Sequence, residues 1–161
     1  MNDPTEVSHW GPLRHLLAAM DDDIERLYRE AAIEGLKPNW VMELIRLRLR
    51  GPMTITELAE VVGRTHSAMS QKVAAMRAAG FVATAAGADA RSKKVVLTAR
   101  AEAVVGRLAA EWRATEAVIA EIEEEIPYPL VRVVRDVEEV LGRKSFHDRI
   151  AEKLAADPEW G

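Results

Sequence analysis

The fold is decided by residues 54–98, which read TITELAEVVGRTHSAMSQKVAAMRAAGFVATAAGADARSKKVVLT. Thr56 can cap a first helix that Gly63 stops, because threonine accepts hydrogen bonds from the first turn and glycine tolerates the turn that follows a helix. Thr65 can open a second helix that ends near Gly80. The pattern predicts two helices joined by a tight turn, which is a helix-turn-helix.

A β-hairpin is predicted directly after these helices. Two apolar runs, residues 81–83 and 95–97, lie on either side of the basic loop 87–94. Asp89 within the loop can brace the turn and orient Arg91. Two helices followed by a hairpin with a cationic tip form a winged helix-turn-helix, which can fill a major groove while contacting the DNA backbone beside it.

Composition favours one folded unit of 161 residues with no disulfide or thiolate chemistry, because the chain contains no cysteine. The absence of a long apolar stretch argues against a membrane partner. The N-terminal residues 1–6 are acidic where a secretion signal would be basic, so we expect a cytoplasmic protein.

The net charge of −4 is unevenly distributed. Residues 46–100 contain ten Lys or Arg and three Asp or Glu, a net charge of +7, whereas residues 1–45 carry −5 and residues 101–161 carry −6. A basic middle between acidic flanks is expected when one face meets phosphates. The alternative is an accidental cluster on a solvated surface.

Helices are predicted on both sides of the central unit. The pattern predicts a mainly α fold with a small β-hairpin wing, in which N- and C-terminal dimerisation helices flank a winged helix-turn-helix within a single domain, residues 1–161. Apolar spacing and proline or glycine stops place the N-terminal helices in residues 12–50, as Pro12–Glu34 and Asn39–Leu49. The DNA-binding lobe is predicted in residues 51–98 and starts with a short strand at Met53–Ile55. The C-terminal helices are predicted in residues 99–156, with breaks at Pro127 and Pro129, a helix from Leu130 to Gly142 and a last helix capped by Ser145.

The terminal helices carry more apolar surface than a small central unit can cover. An amphipathic helix needs a partner for its apolar stripe, so we expect a homodimer whose copies share these helices. A two-fold dimer would present two reading helices about one DNA turn apart, which predicts a pseudo-palindromic site. The alternative is a monomer whose terminal helices fold back on the centre.

The second helix carries the predicted reading residues. Ala68, Met69, Val73 and Met76 form its inward side. Glutamine can form two hydrogen bonds with an adenine edge, serine can serve several bases, lysine reaches guanine or phosphate, and the helix N-terminus favours phosphate. An ordinary polar surface helix is the alternative. The predicted DNA-binding residues of this helix are Thr65, His66, Ser67, Ser70, Gln71 and Lys72.

The hairpin tip supplies the remaining predicted DNA contacts. Its cationic residues are concentrated on a projecting loop that can place an arginine in a narrow minor groove, where the negative potential is enhanced. The predicted contacts at the tip are Arg91, Ser92, Lys93 and Lys94.

At several points the chain resembles the MarR (multiple antibiotic resistance regulator) winged-helix family. The segments that carry this resemblance are Thr56–Glu60, Ser67–Val73, Gly80–Val82, Asp89–Arg91 and Leu97–Thr98, the aspartate-x-arginine wing being the most specific. The resemblance implies a homodimeric transcription regulator, often a repressor relieved by a small ligand. It also implies that Arg91 enters the minor groove and that Ser67, Ser70 and Gln71 face the major groove. Gln71 and Lys72 stand where an arginine and an apolar residue are common, so the operator sequence does not follow.

A ligand pocket is also predicted. The resemblance implies a pocket between the dimer-forming helices and the DNA-binding lobe. An aromatic-lined crevice with one polar group would suit a small aromatic or planar effector, although Trp and Met at helical spacing usually pack in a core. The predicted lining residues are His15, Met20, Trp40, Met42 and Trp112.

No pattern points to catalysis, a cofactor or a metal. The four histidines are scattered, and the chain has no nucleophile elbow and no phosphate-binding glycine loop. We therefore expect a sequence-specific regulator that binds double-stranded DNA. The alternative is a winged-helix scaffold that serves as a protein-interaction module without binding an operator.

Overall fold

A computed structural model describes residues 3–86 and 93–160 of the chain. These residues form mainly helices, with one two-stranded antiparallel hairpin, so the predicted fold class is confirmed. The elements are α1 (Gly11–Glu30), α2 (Val41–Arg50), α3 (Ile55–Val61), α4 (His66–Ala78), β1 (Val82–Ala86), β2 (Lys93–Leu97), α5 (Ala99–Glu125), α6 (Leu130–Arg143) and α7 (Phe146–Leu154), with 3-10 turns at Pro4–Glu6 and Pro38–Trp40.

The chain divides into two compact units, which meet in sequence between Trp112 and Arg113. The assignment of residues 1–161 to one domain stays a prediction. Over the described ranges, no helix is both long enough and apolar enough to cross a membrane.

Helix α3 begins two residues earlier than its sequence pattern indicates. Thr54 is the N-cap: its hydroxyl accepts from the backbone N–H of Glu57 at 3.1 Å, and the Glu57 carboxylate accepts from the N–H of Thr54 at 2.7 Å. These hydrogen bonds hold the pKa of Glu57 below its usual value. The prediction that Thr56 is the cap is therefore wrong, because Thr56 already lies inside the first turn.

Helix α4 begins at the predicted residue. The Thr65 hydroxyl accepts from the N–H of Ala68 at 3.3 Å, and Gly63 in the preceding turn has a φ of 65°. Gly80 follows the helix with a φ of 78°, a left-handed conformation that costs other residues more than glycine. The two glycines that the sequence indicated thus follow the ends of α3 and α4.

The hairpin β1–β2, here called the wing, is tied to the start of α3. Its register pairs Val82 with Leu97 and Ala86 with Lys93. Met53 forms an isolated antiparallel bridge with Val95, through both backbone hydrogen bonds. The expected strand over residues 53–55 is shortened to this bridge, since Thr54 caps α3 and Ile55 is its first residue.

A single hydrophobic core underlies α2, α3, α4 and the wing. The ring of Trp40 packs edge-on against Phe81 with 6.2 Å between ring centroids, and the Arg100 guanidinium lies 4.5 Å from the centre of the Phe81 ring. Arg100 also donates to the carbonyls of Ala79 and Glu34. The largest side chains that are almost fully buried are Phe81, Leu44, Leu58, Met69, Met76, Leu108, Glu43 and Val41.

Helix α1 ends at Glu30, four residues before the predicted end. Its buried Tyr28 donates a hydrogen bond to Glu111 at 2.8 Å, and burial together with this carboxylate raises the pKa of Tyr28 above its usual range. By contrast, Leu16, Leu17 and Leu27 on the same helix are exposed.

The second unit contains the end of α5 together with α6 and α7. Ser145 caps α7 as predicted, its hydroxyl accepting from the N–H of Asp148 at 3.0 Å. Neither α6 nor α7 contains a buried residue. Several of their apolar residues, including Val133 and Val134, are exposed in the single chain.

Candidate nucleic-acid interface

One face of α4 is polar and exposed. Ser67 and Gln71 lie one turn apart on the side opposite Met69, Val73 and Met76, which are buried in the core. We call the exposed face that carries Ser67 and Gln71 the reading edge. Its position follows from helical spacing, because residues four apart share a face.

Three further predicted residues surround the start of α4. Thr65 and His66 are exposed, and Ser70 is half-buried on the flank of the helix. The Thr65 hydroxyl is committed to capping, so its contribution at the interface would come from its position at the helix N-terminus. Ala68, expected on the inward side, is exposed instead.

Lys72 lies away from the reading edge. Its ammonium group donates to the Glu43 carboxylate and to the carbonyl of Asn39, both at 2.7 Å, and its side chain is only 18% exposed. Lys72 follows Met69 by three residues and precedes Met76 by four, so helical spacing puts it beside the buried side. Lys72 therefore has hydrogen-bond partners within the protein, and its predicted contact with DNA stays a prediction.

Two of the four predicted wing contacts can be located. Lys93 is exposed at the start of β2, and the half-buried Lys94 donates to the carbonyl of Pro52 at 3.4 Å. Arg91 and Ser92, together with Asp89, lie outside the described residues.

Sequence reasoning did not single out two exposed arginines beside α4. Arg64 lies in the turn before the helix, and Arg77 lies in its last turn, where the guanidinium donates to Thr84 of the wing at 3.4 Å. Ala74 and Ala78 continue the exposed face beyond Gln71. Spacing from Ser67 could have identified both alanines, since they follow it by seven and eleven residues.

A match to a protein family agrees with this geometry. Residues 34–92 match a model described as "MarR family". The winged-helix segment of this chain is thus similar to the MarR family. This match and the DNA complexes among the similar structures support a DNA-binding transcription regulator of winged-helix fold.

Solved structures of MarR-family regulators resemble the chain over most of its length. The M. tuberculosis transcriptional regulator MOSR in complex with DNA is 26% identical with a TM-score of 0.56, the match covering 83% of this chain and 93% of MOSR. The S. aureus MepR–DNA complex is 12% identical with a TM-score of 0.60, covering 85% and 98%. A MarR protein from Peptoclostridium difficile is 15% identical with a TM-score of 0.56, covering 91% and 96%. The last two similarities are similarities of fold.

No curated protein gives a significant match to the sequence. The similarity to the MarR family therefore depends on the winged-helix segment and on the solved structures.

The five residues predicted to line a ligand pocket have different surroundings. His15 and Met42 are exposed, Met20 is half-buried, and Trp40 and Trp112 pack against the core. A crevice of about 190 Å³ lies elsewhere in the first unit, between the end of α2, the wing and the start of α5. It is lined by Leu47, Arg48, Gly51, Pro52, Val96, Leu97 and Glu102. The effector pocket stays a prediction.

The part of the chain that the structure describes contains no group of three His, Asp or Glu residues that could hold a metal ion.

Proposed function

We propose that the chain is a homodimeric repressor that binds a pseudo-palindromic operator in double-stranded DNA and is released by a small ligand. The observation that carries the proposal is the exposed reading edge of α4, whose opposite side is buried in the core. The segment that contains this helix matches the MarR family. Such a regulator would work in the cytoplasm, where it can reach DNA.

The reading edge has the chemistry and the shape for a major groove. Gln71 can hydrogen-bond two atoms of an adenine edge, and Ser67 can donate to or accept from several bases. Ala74 and Ala78 are small, so this face of the helix can approach base edges closely.

Exposed cations surround this edge. Arg64, Arg77 and Lys93 can bind the phosphate backbone on either side of the groove. The net charge of +7 over residues 46–100 would attract the polyanion, while the acidic flanks would keep the rest of the protein away from it. From the family resemblance, Arg91 would add a minor-groove contact, with Ser92 beside it.

The homodimer is supported by apolar faces without a partner in the single chain. Leu16, Leu17 and Leu27 of α1 are exposed, as are Val133 and Val134 of α6. Exposed apolar stripes of this length mark association surfaces, and a second copy of the same helices would cover them symmetrically.

The proposed effector is small and aromatic or planar. To relieve repression, it must bind the form of the dimer that does not fit DNA more tightly than the form that does. Trp40 and Met42 lie on either side of the first residue of α2, the helix that holds Lys72 of α4. A ligand at these residues could therefore alter the position of the reading edge.

The function is tested by selecting duplexes from a random pool with the purified protein. We expect enrichment of a site with two inverted half-sites about one helical turn apart, and a log affinity that falls linearly with log salt concentration. Enrichment of no sequence, together with an affinity that does not depend on salt, would instead favour the protein-interaction module.

Replacing Gln71 with alanine is expected to relax base preference at one position in each half-site by about 1–3 kcal/mol. The reason is that a base edge loses its specific partner while the phosphate contacts remain. Affinity for duplexes that vary at each position measures the effect. As a comparison, Arg91→Ala should weaken binding to most sequences, and more at A·T-rich flanks. Equal losses for both variants on every duplex would contradict this division of roles.

A further inference from the structure

A buried ion pair joins the middle of α4 to the start of α2. The Lys72 ammonium bridges the Glu43 carboxylate and the Asn39 carbonyl, at 2.7 Å each, and the Glu43 side chain is only 2% exposed. The two partners are separated by 29 residues in sequence. This pair is therefore a tertiary cross-link that fixes one helix against another.

Stability alone is a weak explanation for this pair. Removing two charges from water offsets much of their attraction, and a buried ion pair can often be replaced by packed apolar residues without loss of stability. One oxygen of Glu43, Oε2, is buried and has no hydrogen-bond partner among residues 3–86 and 93–160, which adds to the cost. The ion pair differs from apolar packing because its hydrogen bonds require a defined angle between donor and acceptor, whereas apolar contacts do not.

The direction matters because Lys72 is next to Gln71 on α4. Met69, Val73 and Met76 hold the helix through contacts that have no preferred direction, and such contacts tolerate small rotations. The ion pair adds a directional contact that favours one rotation of α4 about its axis. Any change in that rotation would move Gln71 and Ser67 relative to the bases below them.

The same corner of the fold holds α4 a second time. Asn39, which accepts from Lys72, is followed by Trp40, and the Trp40 ring packs against Phe81 just beyond the end of α4. The 3-10 turn Pro38–Trp40 and the start of α2 thus contact the middle of α4, at Lys72, and the segment that follows the helix, at Phe81.

We propose that Glu43 and Lys72 are positioning residues that set the rotation of α4 and thereby the base preference of the reading edge. The inference rests on the proposed DNA-binding function. Lys72 would then influence base preference by positioning α4, and it would not bind a phosphate.

The test compares four variants with the wild type: Glu43→Gln, Lys72→Met, the double variant Glu43→Leu/Lys72→Met, and Glu102→Gln as a control. Glu102 also forms an ion pair, with Arg48 at 3.4 Å, but the side chains of both residues are exposed. For each protein we would measure the melting temperature and the affinities for the selected duplex and for a scrambled duplex.

Glu43→Gln and Lys72→Met are each expected to reduce the preference for the selected duplex by at least about tenfold, with affinity for the scrambled duplex kept within about twofold. The double variant is expected to regain the melting temperature without regaining the preference. Glu102→Gln should match the wild type. A double variant that regains both properties would overturn the proposal, because the pair would then act through stability alone.

The salt dependence separates positioning from a direct contact. If Lys72 bound a phosphate, Lys72→Met would reduce the magnitude of the salt slope by about 0.9 per contact. We expect an unchanged slope for the scrambled duplex in every variant. A reduced slope in Lys72→Met, together with a wild-type preference in Glu43→Gln, would overturn the proposal.

Hydrogen exchange in the free protein gives a measurement that does not depend on DNA. The amides of α4 should exchange faster in the double variant than in the wild type, even at equal melting temperatures, while those of α5 stay unchanged. If the wild type binds no duplex, the proposed function fails, and exchange still decides whether the pair holds α4. Unchanged exchange in α4 would overturn the positioning role on its own.

Discussion

Replacing Leu44 with alanine is expected to lower the free energy of unfolding by about 2–5 kcal/mol. Leu44 is 0% exposed and belongs to the core beneath α2, α3, α4 and the wing, so its removal leaves a cavity with apolar walls. The loss is a large fraction of the stability of an ordinary domain, so the lobe should also melt at a clearly lower temperature. Denaturant unfolding followed by circular dichroism measures the change.

The same helix supplies a matched control. Leu49 lies five residues later in α2 and is 73% exposed, so Leu49→Ala should change the free energy of unfolding by less than about 0.5 kcal/mol. Both substitutions remove the same atoms and have the same effect on helix propensity. Similar losses in the two variants would contradict the packing of α2 described above.

Replacing Val134 with aspartate is expected to abolish the proposed homodimer at micromolar concentration. Val134 lies within the apolar stripe of α6 and is 46% exposed in the single chain, so the unit itself can accept a charge. In a two-fold dimer the substitution occurs twice, and each buried carboxylate costs several kcal/mol, which raises the dissociation constant by at least about 100-fold. Sedimentation velocity would show half the mass, and operator affinity would fall with it.

Val131→Asp is the control for this experiment. Val131 is 53% exposed and lies on a different side of α6 from the stripe, which consists of Leu130, Val133, Val134, Val137, Val140 and Leu141. We expect this variant to keep the mass of the wild type. Dissociation by both variants would show that a charge anywhere on α6 disrupts association, and a wild type of monomer mass would remove the dimer from the proposal.

Local signals in the sequence predicted the helix-turn-helix closely. Gly63 and Gly80 follow the ends of its two helices because the backbone there needs positive φ. Thr65 caps α4 because its hydroxyl reaches the first turn. The cap of α3 was placed two residues too late. Thr54 and Thr56 are equally good capping residues, and only the reciprocal bond with Glu57 decides between them.

Tertiary contacts account for what the sequence did not predict. Lys72 was placed at the DNA because lysine can reach guanine or phosphate, but its partner Glu43 is 29 residues away and no local pattern pairs the two. Trp40 was expected in a ligand pocket, and it packs on Phe81 across the fold. In both cases helical spacing indicated a side of the helix, while the identity of the neighbouring element came only from the fold.

The bridge between Met53 and Val95 has a consequence for how this lobe can evolve. It fastens the centre of β2 to the segment that leads into α3, so slipping the strand by one residue would exchange its inner and outer faces and break the bridge at the same time. Homologous chains should therefore tolerate insertions and deletions between the strands but not within them. Changes in operator preference can then arise from loops of different lengths between β1 and β2, while the paired strands and the Met53–Val95 bridge stay the same.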